Sequence, residues 1–209
     1  MIKSIHTWGV FLLAMMFFAS CAEKVVVSHY ETGEKHEEYQ YTGDSLKHGL
    51  YKRFSKGGIL LEETNYTEGK INGERTIYNA KGEKEVVEIY ENDVLNGPFK
   101  EFHTNGKIKF LGTYTNNVLS GTVNVFYPSG KIKEEVQFVD NVEEGPFKEF
   151  HENGNIKWEG TYRNGDNEFG LLKEYNESGE LIRKMMCDER AICTTTWTID
   201  GSHLKDSDS

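Results

Sequence analysis

Large apolar residues recur along this chain at a fixed spacing. Shifted by 24 residues, the sequence brings Gly49, Gly73, Gly97 and Gly121 onto Gly145, and with one extra residue onto Gly170. Counting from each leading glycine as zero, place five is always aromatic: Phe54, Tyr78, Phe102, Phe126, Phe150 and Tyr175. Place nine is always glycine, and place seventeen is aromatic in five units: Tyr66, Tyr90, Tyr114, Phe138 and Tyr162. An internal repeat of this length must be read before any single element.

Two turns punctuate each unit. Places nineteen and twenty read Glu68-Gly69, Asn92-Asp93, Asn116-Asn117, Asp140-Asn141 and Asn164-Gly165, residues that tolerate the positive φ of two-residue primed turns. The other turn contains the place-nine glycine, twice as Asn-Gly. A helical repeat would need apolar residues at three-four spacing and would not tolerate these breakers. The expected fold is therefore all-β, an elongated single-layer antiparallel meander of repeated β-hairpins with a period of about 24 residues. Twelve or so strands at ~4.8 Å would give a ribbon roughly 55 to 60 Å long, twisted or curled.

With two-residue turns at both ends, places zero, two, four and six share a face with eleven, thirteen, fifteen and seventeen. That face would show Phe99, Ile108, Phe110 and Tyr114 in one unit and Phe147, Ile156, Trp158 and Tyr162 in another, with Gly112 and Gly160 making room beneath the rings. The opposite face is mostly Lys, Glu and Thr, with the place-five aromatics, Phe102 and Phe150 among them, as a single row. A longer first turn, or a bulge at the leading glycine, would move that row to the first face, and both arrangements stay open.

The domain reading is a leader over 1–20, a degenerate first unit over 21–48, hairpin repeats over 49–187 and a C-terminal cap with a polar tail over 188–209. In the leader, Lys3 and His6 precede an apolar run from Trp8 to Phe18, too short for a membrane span. Its end, Phe18-Ala19-Ser20-Cys21, resembles the bacterial lipobox, although Phe18 stands where leucine is usual. The resemblance implies lipidation at Cys21 and a membrane tether; an ordinary signal peptide with a coincidental cysteine is the other reading. Ala22, in place of the aspartate that retains lipoproteins at the inner membrane, favours the outer one. The cell envelope is the expected location, with the leaflet open.

Cys187 takes place seventeen of the sixth unit, and Cys193 follows six residues on. In an exported chain this pair reads as a disulfide, against two free thiols or one reactive thiol. The formal net charge of -10 argues against a nucleic-acid partner.

No catalytic motif, metal set or cofactor loop emerges. His103 and His151 sit in equivalent places four strands apart, about 19 Å, too far to share an ion. Glu134-Glu135 and Glu143-Glu144 are adjacent strand residues that point to opposite faces, so neither pair converges. The candidate binding or packing residues are the aromatics Phe99, Phe102, Phe110, Tyr114, Phe147, Phe150, Trp158 and Tyr162.

The spacing Gly-x-aromatic-x-x-aromatic, then Asn-Gly-Lys-Ile, then Gly-Thr-Tyr, resembles the MORN-variant repeat (membrane occupation and recognition nexus). The resemblance runs from about Gly49 to Leu181 and is clearest over 97–114 and 145–162; Arg75, Val123 and Lys84 depart from it. It implies an elongated sheet used as a scaffold or binding surface, and many bacterial members carry a YwqK-type toxin-antitoxin antitoxin label. The expected function is a membrane-tethered scaffold that binds another envelope protein. A binder of envelope glycan or lipid, and an antitoxin or immunity protein, are the alternatives.

Overall fold

The computed structural model describes residues 24–43 and 45–202. The leader and Cys21 lie outside the described residues, as does the end of the tail, 203–209.

Successive rungs of the chain pair antiparallel in a single open sheet. The chain opens with β1 (Lys24–His29), β2 (Lys35–Tyr41), β3 (Lys47–Phe54), β4 (Leu60–Thr67), β5 (Lys70–Tyr78) and β6 (Lys84–Glu91). The middle holds β7 (Val94–Leu95), β8 (Gly97–Phe102), β9 (Ile108–Thr115), β10 (Val118–Leu119), β11 (Gly121–Phe126) and β12 (Ile132–Val139). The sheet ends with β13 (Val142–Phe150), β14 (Ile156–Tyr162), β15 (Gly170–Tyr175), β16 (Leu181–Cys187) and β17 (Cys193–Thr198). No α-helix occurs among the described residues.

The short β7 and β10 are the first halves of rungs that continue as β8 and β11, so the seventeen segments make fifteen rungs, roughly 65 to 70 Å if laid flat. This exceeds the twelve expected from the repeat. The surplus lies at the ends, in β1 and β2 of the opening unit and in β17 beyond the sixth.

Four of the place-nineteen turns are two-residue loops with both central residues at positive φ, while the turn at Asn164-Gly165 is one residue longer, Arg163 N–H donating to the Asn167 carbonyl at 2.9 Å. Asn116 and Asn117 stand at φ 52 and 66 between the paired Thr115 and Val118. Asn92-Asp93 and Asp140-Asn141 repeat the geometry, as their side chains allow.

The first turn is not two residues long. His103 N–H donates to the Lys107 carbonyl at 2.8 Å and Gly106 N–H to the His103 carbonyl at 2.8 Å, with Gly106 at φ 78. This is a three-residue loop closed by a left-handed glycine, and it costs the ladder one residue. Glu101 pairs with Phe110, but Phe102 pairs with Ile108, leaving Lys109 as the bulge. The same shift separates Phe54, Phe126, Phe150 and Tyr175 from the residue before each.

The expectation that Ile108 and Ile156 share a row with Phe110 and Trp158 is therefore corrected. Each pairs with the place-five ring across its turn, Ile108 with Phe102 and Ile156 with Phe150. The place-five row stays opposite the main aromatic face despite the longer turn, because the bulge absorbs the extra residue.

A second irregularity sits at the leading glycines. Tyr66 pairs with Ile71 and Thr64 with Arg75, so only Asn65 stands opposite residues 72–74, with Gly73 at φ 109. The slip is even and preserves the faces, so residues two before each leading glycine line the same face as places zero, two, four, thirteen, fifteen and seventeen.

Candidate binding face

The first face changes chemistry along the sheet. Place two runs Tyr51, Arg75, Phe99, Val123, Phe147, Leu172, and place thirteen runs Glu62, Val86, Phe110, Glu134, Trp158, Arg183. Its N-terminal half is a charged ladder. Arg53 Nε donates to Glu62 Oε2 at 3.2 Å, Arg75 Nε to Glu62 Oε1 at 3.0 Å and Arg75 Nη1 to Glu88 Oε2 at 3.4 Å. Thr64, fully buried, donates its hydroxyl to Glu62 Oε1 at 3.0 Å. Burial pulls the Glu62 carboxyl upward, but Arg75, Thr64 and Arg53 outweigh it and hold the group below its ordinary value.

Beside this ladder the Lys47 ammonium lies 4.0 Å from the Tyr51 ring centre, 5.0 Å from Tyr39 and 5.2 Å from Tyr66. Three tyrosines thus surround one cation supplied by the same chain. Tyr51 donates its hydroxyl to Glu37 Oε1 at 2.9 Å; burial first, then that bond, raises the phenol well above its usual range.

The C-terminal half carries the apolar core, with acids at its edge. Leu119, Val123, Val136, Phe147, Tyr162, Leu172 and Cys187 form one buried cluster, with Phe110, Tyr114, Phe138, Trp158 and Met185 packed against it. A single layer buries these residues only because long rings lie over short neighbours. A Cβ on Gly160 would stand 2.8 Å from Leu172 Cδ1 and 2.9 Å from Phe147 Cε1, and one on Gly112 would stand 2.8 Å from Leu119 Cδ1. Place fifteen is glycine in these units because a leucine methyl and a phenylalanine ring occupy its side-chain space.

Of the eight aromatics read from the sequence, six gather on this face in two groups. Phe99 meets Phe110 at 5.7 Å and Tyr114 at 5.6 Å between ring centres, both edge-on. Phe147 stacks on Tyr162 at 3.9 Å, and the Arg183 guanidinium lies 5.3 Å over the nearby Trp158 ring. Phe102 and Phe150 belong to the opposite face. There, place-five hydroxyls meet place-fourteen acids: Tyr78 donates to Glu63 Oε2 at 2.7 Å and Tyr175 to Glu159 Oε1 at 2.7 Å. Near the same end Leu171 and Met186, cross-strand partners, are 44% and 50% exposed, the one apolar pair on that face of β15 and β16 left open to solvent.

Cys187 and Cys193 are joined, tying the end of β16 to the start of β17 across a turn. His103 and His151 span to the next unit: each Nε2 lies 2.8 and 2.9 Å from the Phe126 and Tyr175 carbonyls respectively. A carbonyl only accepts, so each Nε2 carries the proton. Among the described residues no three His, Cys, Asp or Glu side chains gather to hold a metal ion.

Sequence reasoning compared adjacent glutamates and missed the acids that do meet, which come from neighbouring strands. Glu134 and Glu149 are direct cross-strand partners on the first face. Burial, then Glu149, then Glu143, push the Glu134 carboxyl above its ordinary value. Burial and the surrounding Glu134, Glu149, Glu143 and Glu168 push the Tyr162 phenol up as well. Close to these acids a recess of about 250 Å³ opens, lined by Phe147, Trp158, Tyr162, Leu172 and Met185, with Glu149, Glu168 and Arg183 at its polar side. The pairing was detectable in principle, since place thirteen of one unit meets place four of the next once the register is known.

Residues 47–68, 95–116, 119–140 and 143–164 match the family model of the MORN repeat variant. Repeats of this kind are generally protein- or membrane-binding modules. The unmatched second unit carries Arg75 and Lys84 where the pattern has an aromatic and a branched aliphatic residue, and the unmatched sixth carries Cys187 in place of tyrosine. No curated protein matches the chain.

Proposed function

We propose that this chain is a non-catalytic scaffold of the bacterial cell envelope, tethered to the membrane by lipid on Cys21 and binding another envelope protein along its sheet. The observation that carries the reading is the repeated hairpin surface itself, four of whose units match a binding repeat. The leader ending in Phe18-Ala19-Ser20-Cys21 supports the tether. Binding spread over several units weakens by degrees as units are removed, whereas catalysis fails outright on loss of one essential group.

The test uses two variants expressed in intact cells. Cys21→Ala should abolish palmitate labelling and release the chain from the membrane fraction. Deletion of residues 97–120 keeps the repeat register and should leave a shorter folded sheet with reduced cross-linking to its partner. An unlabelled wild-type chain removes the tether. Undiminished cross-linking after deletion of several units in turn removes the distributed surface.

A further inference from the structure

The repeat allows the same position to be compared at the two ends of the sheet. Two residues before the leading glycine stand Lys47 in the first unit, Leu119 in the middle, and Glu143 and Glu168 in the last two. In the first unit that position puts an ammonium among Tyr39, Tyr51 and Tyr66. The rings equivalent to Tyr51 and Tyr66 in the fifth unit are Phe147 and Tyr162, and the group beside them is a carboxylate instead. At this position one end of the face presents a cation to its rings and the other an acid.

Those acids are only partly balanced. Lys157 Nζ lies 3.4 Å from Glu149, while Arg183, over Trp158, is committed to Glu174 at 2.7 Å. Glu134, Glu143 and Glu168 have no cationic partner within ion-pair distance among the described residues. The recess beside them is walled by rings and a thioether, surfaces that attract an ammonium and its methylene stem. Arg183 on Trp158 already shows one of these rings holding a cation from this chain.

We propose that this recess receives a lysine side chain of the protein partner, its ammonium between Glu149 and Glu168 and its stem against Phe147, Trp158 and Met185. The proposal rests on the binding-module reading above and names the chemistry of the contact. A net charge of -10 favours the approach of a basic segment at long range, and the recess gives that approach a defined end point. Because burial and neighbouring acids raise the Glu134 carboxyl, an arriving cation lowers the cost of its ionisation.

The experiment reads Trp158 emission in the full chain carrying Trp8→Phe and Trp197→Phe, which leaves one indole. The probes are an acetylated and amidated Gly-Lys-Gly peptide and its norleucine analogue, which keeps the stem and lacks the charge. The lysine peptide should give a saturable change with a dissociation constant on the order of 1 mM, and the norleucine peptide none. Glu149→Gln with Glu168→Gln should weaken the lysine response about tenfold in a chain that still melts cooperatively. An equal response to norleucine, an unaltered response in the double variant, or no saturable response overturns the proposal. Should the double variant fail to fold, the comparison of the two peptides on the parent chain still decides. Partner cross-linking that survives when the lysine peptide gives no response removes this contact alone; loss of both removes the scaffold reading too.

Discussion

Asn141 clasps the backbone of Leu119: its side-chain Oδ1 accepts the Leu119 N–H at 2.8 Å, and its own N–H donates to the Leu119 carbonyl at 3.0 Å. Asn117 holds Leu95 in the same way, and Asp93 holds Ile71. Each primed turn is thus fastened to the corresponding turn of the preceding unit. In the middle of the sheet the clasp also sets the core, since the Leu119 side chain covers Gly112.

Replacement of Asn141 separates the two contributions. Asn141→Gly keeps the positive φ and the backbone bond but loses the acceptor for Leu119, a cost of about 1 kcal/mol. Asn141→Ala also places a Cβ at φ 68, for about 2 kcal/mol in total. Denaturant melts should rank wild type, glycine, alanine in falling stability. A glycine variant as stable as wild type would show that water replaces the carboxamide at no cost.

Two glycines should fail for different reasons. Gly160→Ala drives a methyl into Leu172 and Phe147 at a cost of about 1 to 3 kcal/mol, whereas Gly154→Ala meets nothing within 4 Å and carries only the strain of φ 97, about 1 kcal/mol. Leu172→Ala should couple favourably to Gly160→Ala, because it removes the nearest atom, and should not couple to Gly154→Ala. Additivity in both cycles would reject the packing account.

The turns were legible in the sequence because positive φ leaves few choices: Asn116-Asn117 and Asp140-Asn141 announce themselves by residue type. The period, the class of fold and the room beneath Phe147 followed from spacing alone. The bulge at Lys109 was not legible, since one residue gained in a loop leaves no mark on the composition, yet it decides that Ile108 answers Phe102. Contacts between units were hidden for the same reason. Lys47 among three tyrosines and Glu134 opposite Glu149 depend on how one hairpin registers on the next, and the sequence carries that only after the bulges are known.

The two aromatic rows should differ in energetic weight. Phe147, 4% exposed, stacks on Tyr162 within the core, and Phe147→Ala should cost about 3 to 4 kcal/mol. Phe150 is half-buried on the polar face, and Phe150→Ala should cost on the order of 1 kcal/mol, discounted for its exposure. Equal losses in urea melts would place both rings in one core and contradict the observed faces.

Glu62 and Glu134 occupy the same place thirteen, in the first and fourth units, and should respond to pH in opposite directions. Glu62 faces Arg53, Arg75 and Thr64, and its folded-state carboxyl lies below the ordinary value despite burial. Its contribution to stability is present above the unfolded value, about 4.3, and is lost as pH falls through the lower folded one. Glu134 is buried opposite Glu149, and its folded-state carboxyl lies above the ordinary value. Its favourable contribution is present below the unfolded value and is lost as pH rises through the higher folded one, so the ionised group weakens the fold at neutral pH. Glu62→Gln should accordingly destabilise at pH 7, and Glu134→Gln should stabilise there. Both differences should shrink as the medium is taken to acid, where the carboxyls of the parent chain are protonated and resemble the amides. Melting temperatures across that range read the two signs directly, and a destabilising Glu134→Gln at neutral pH would mean that an unrecognised cation already holds that carboxylate.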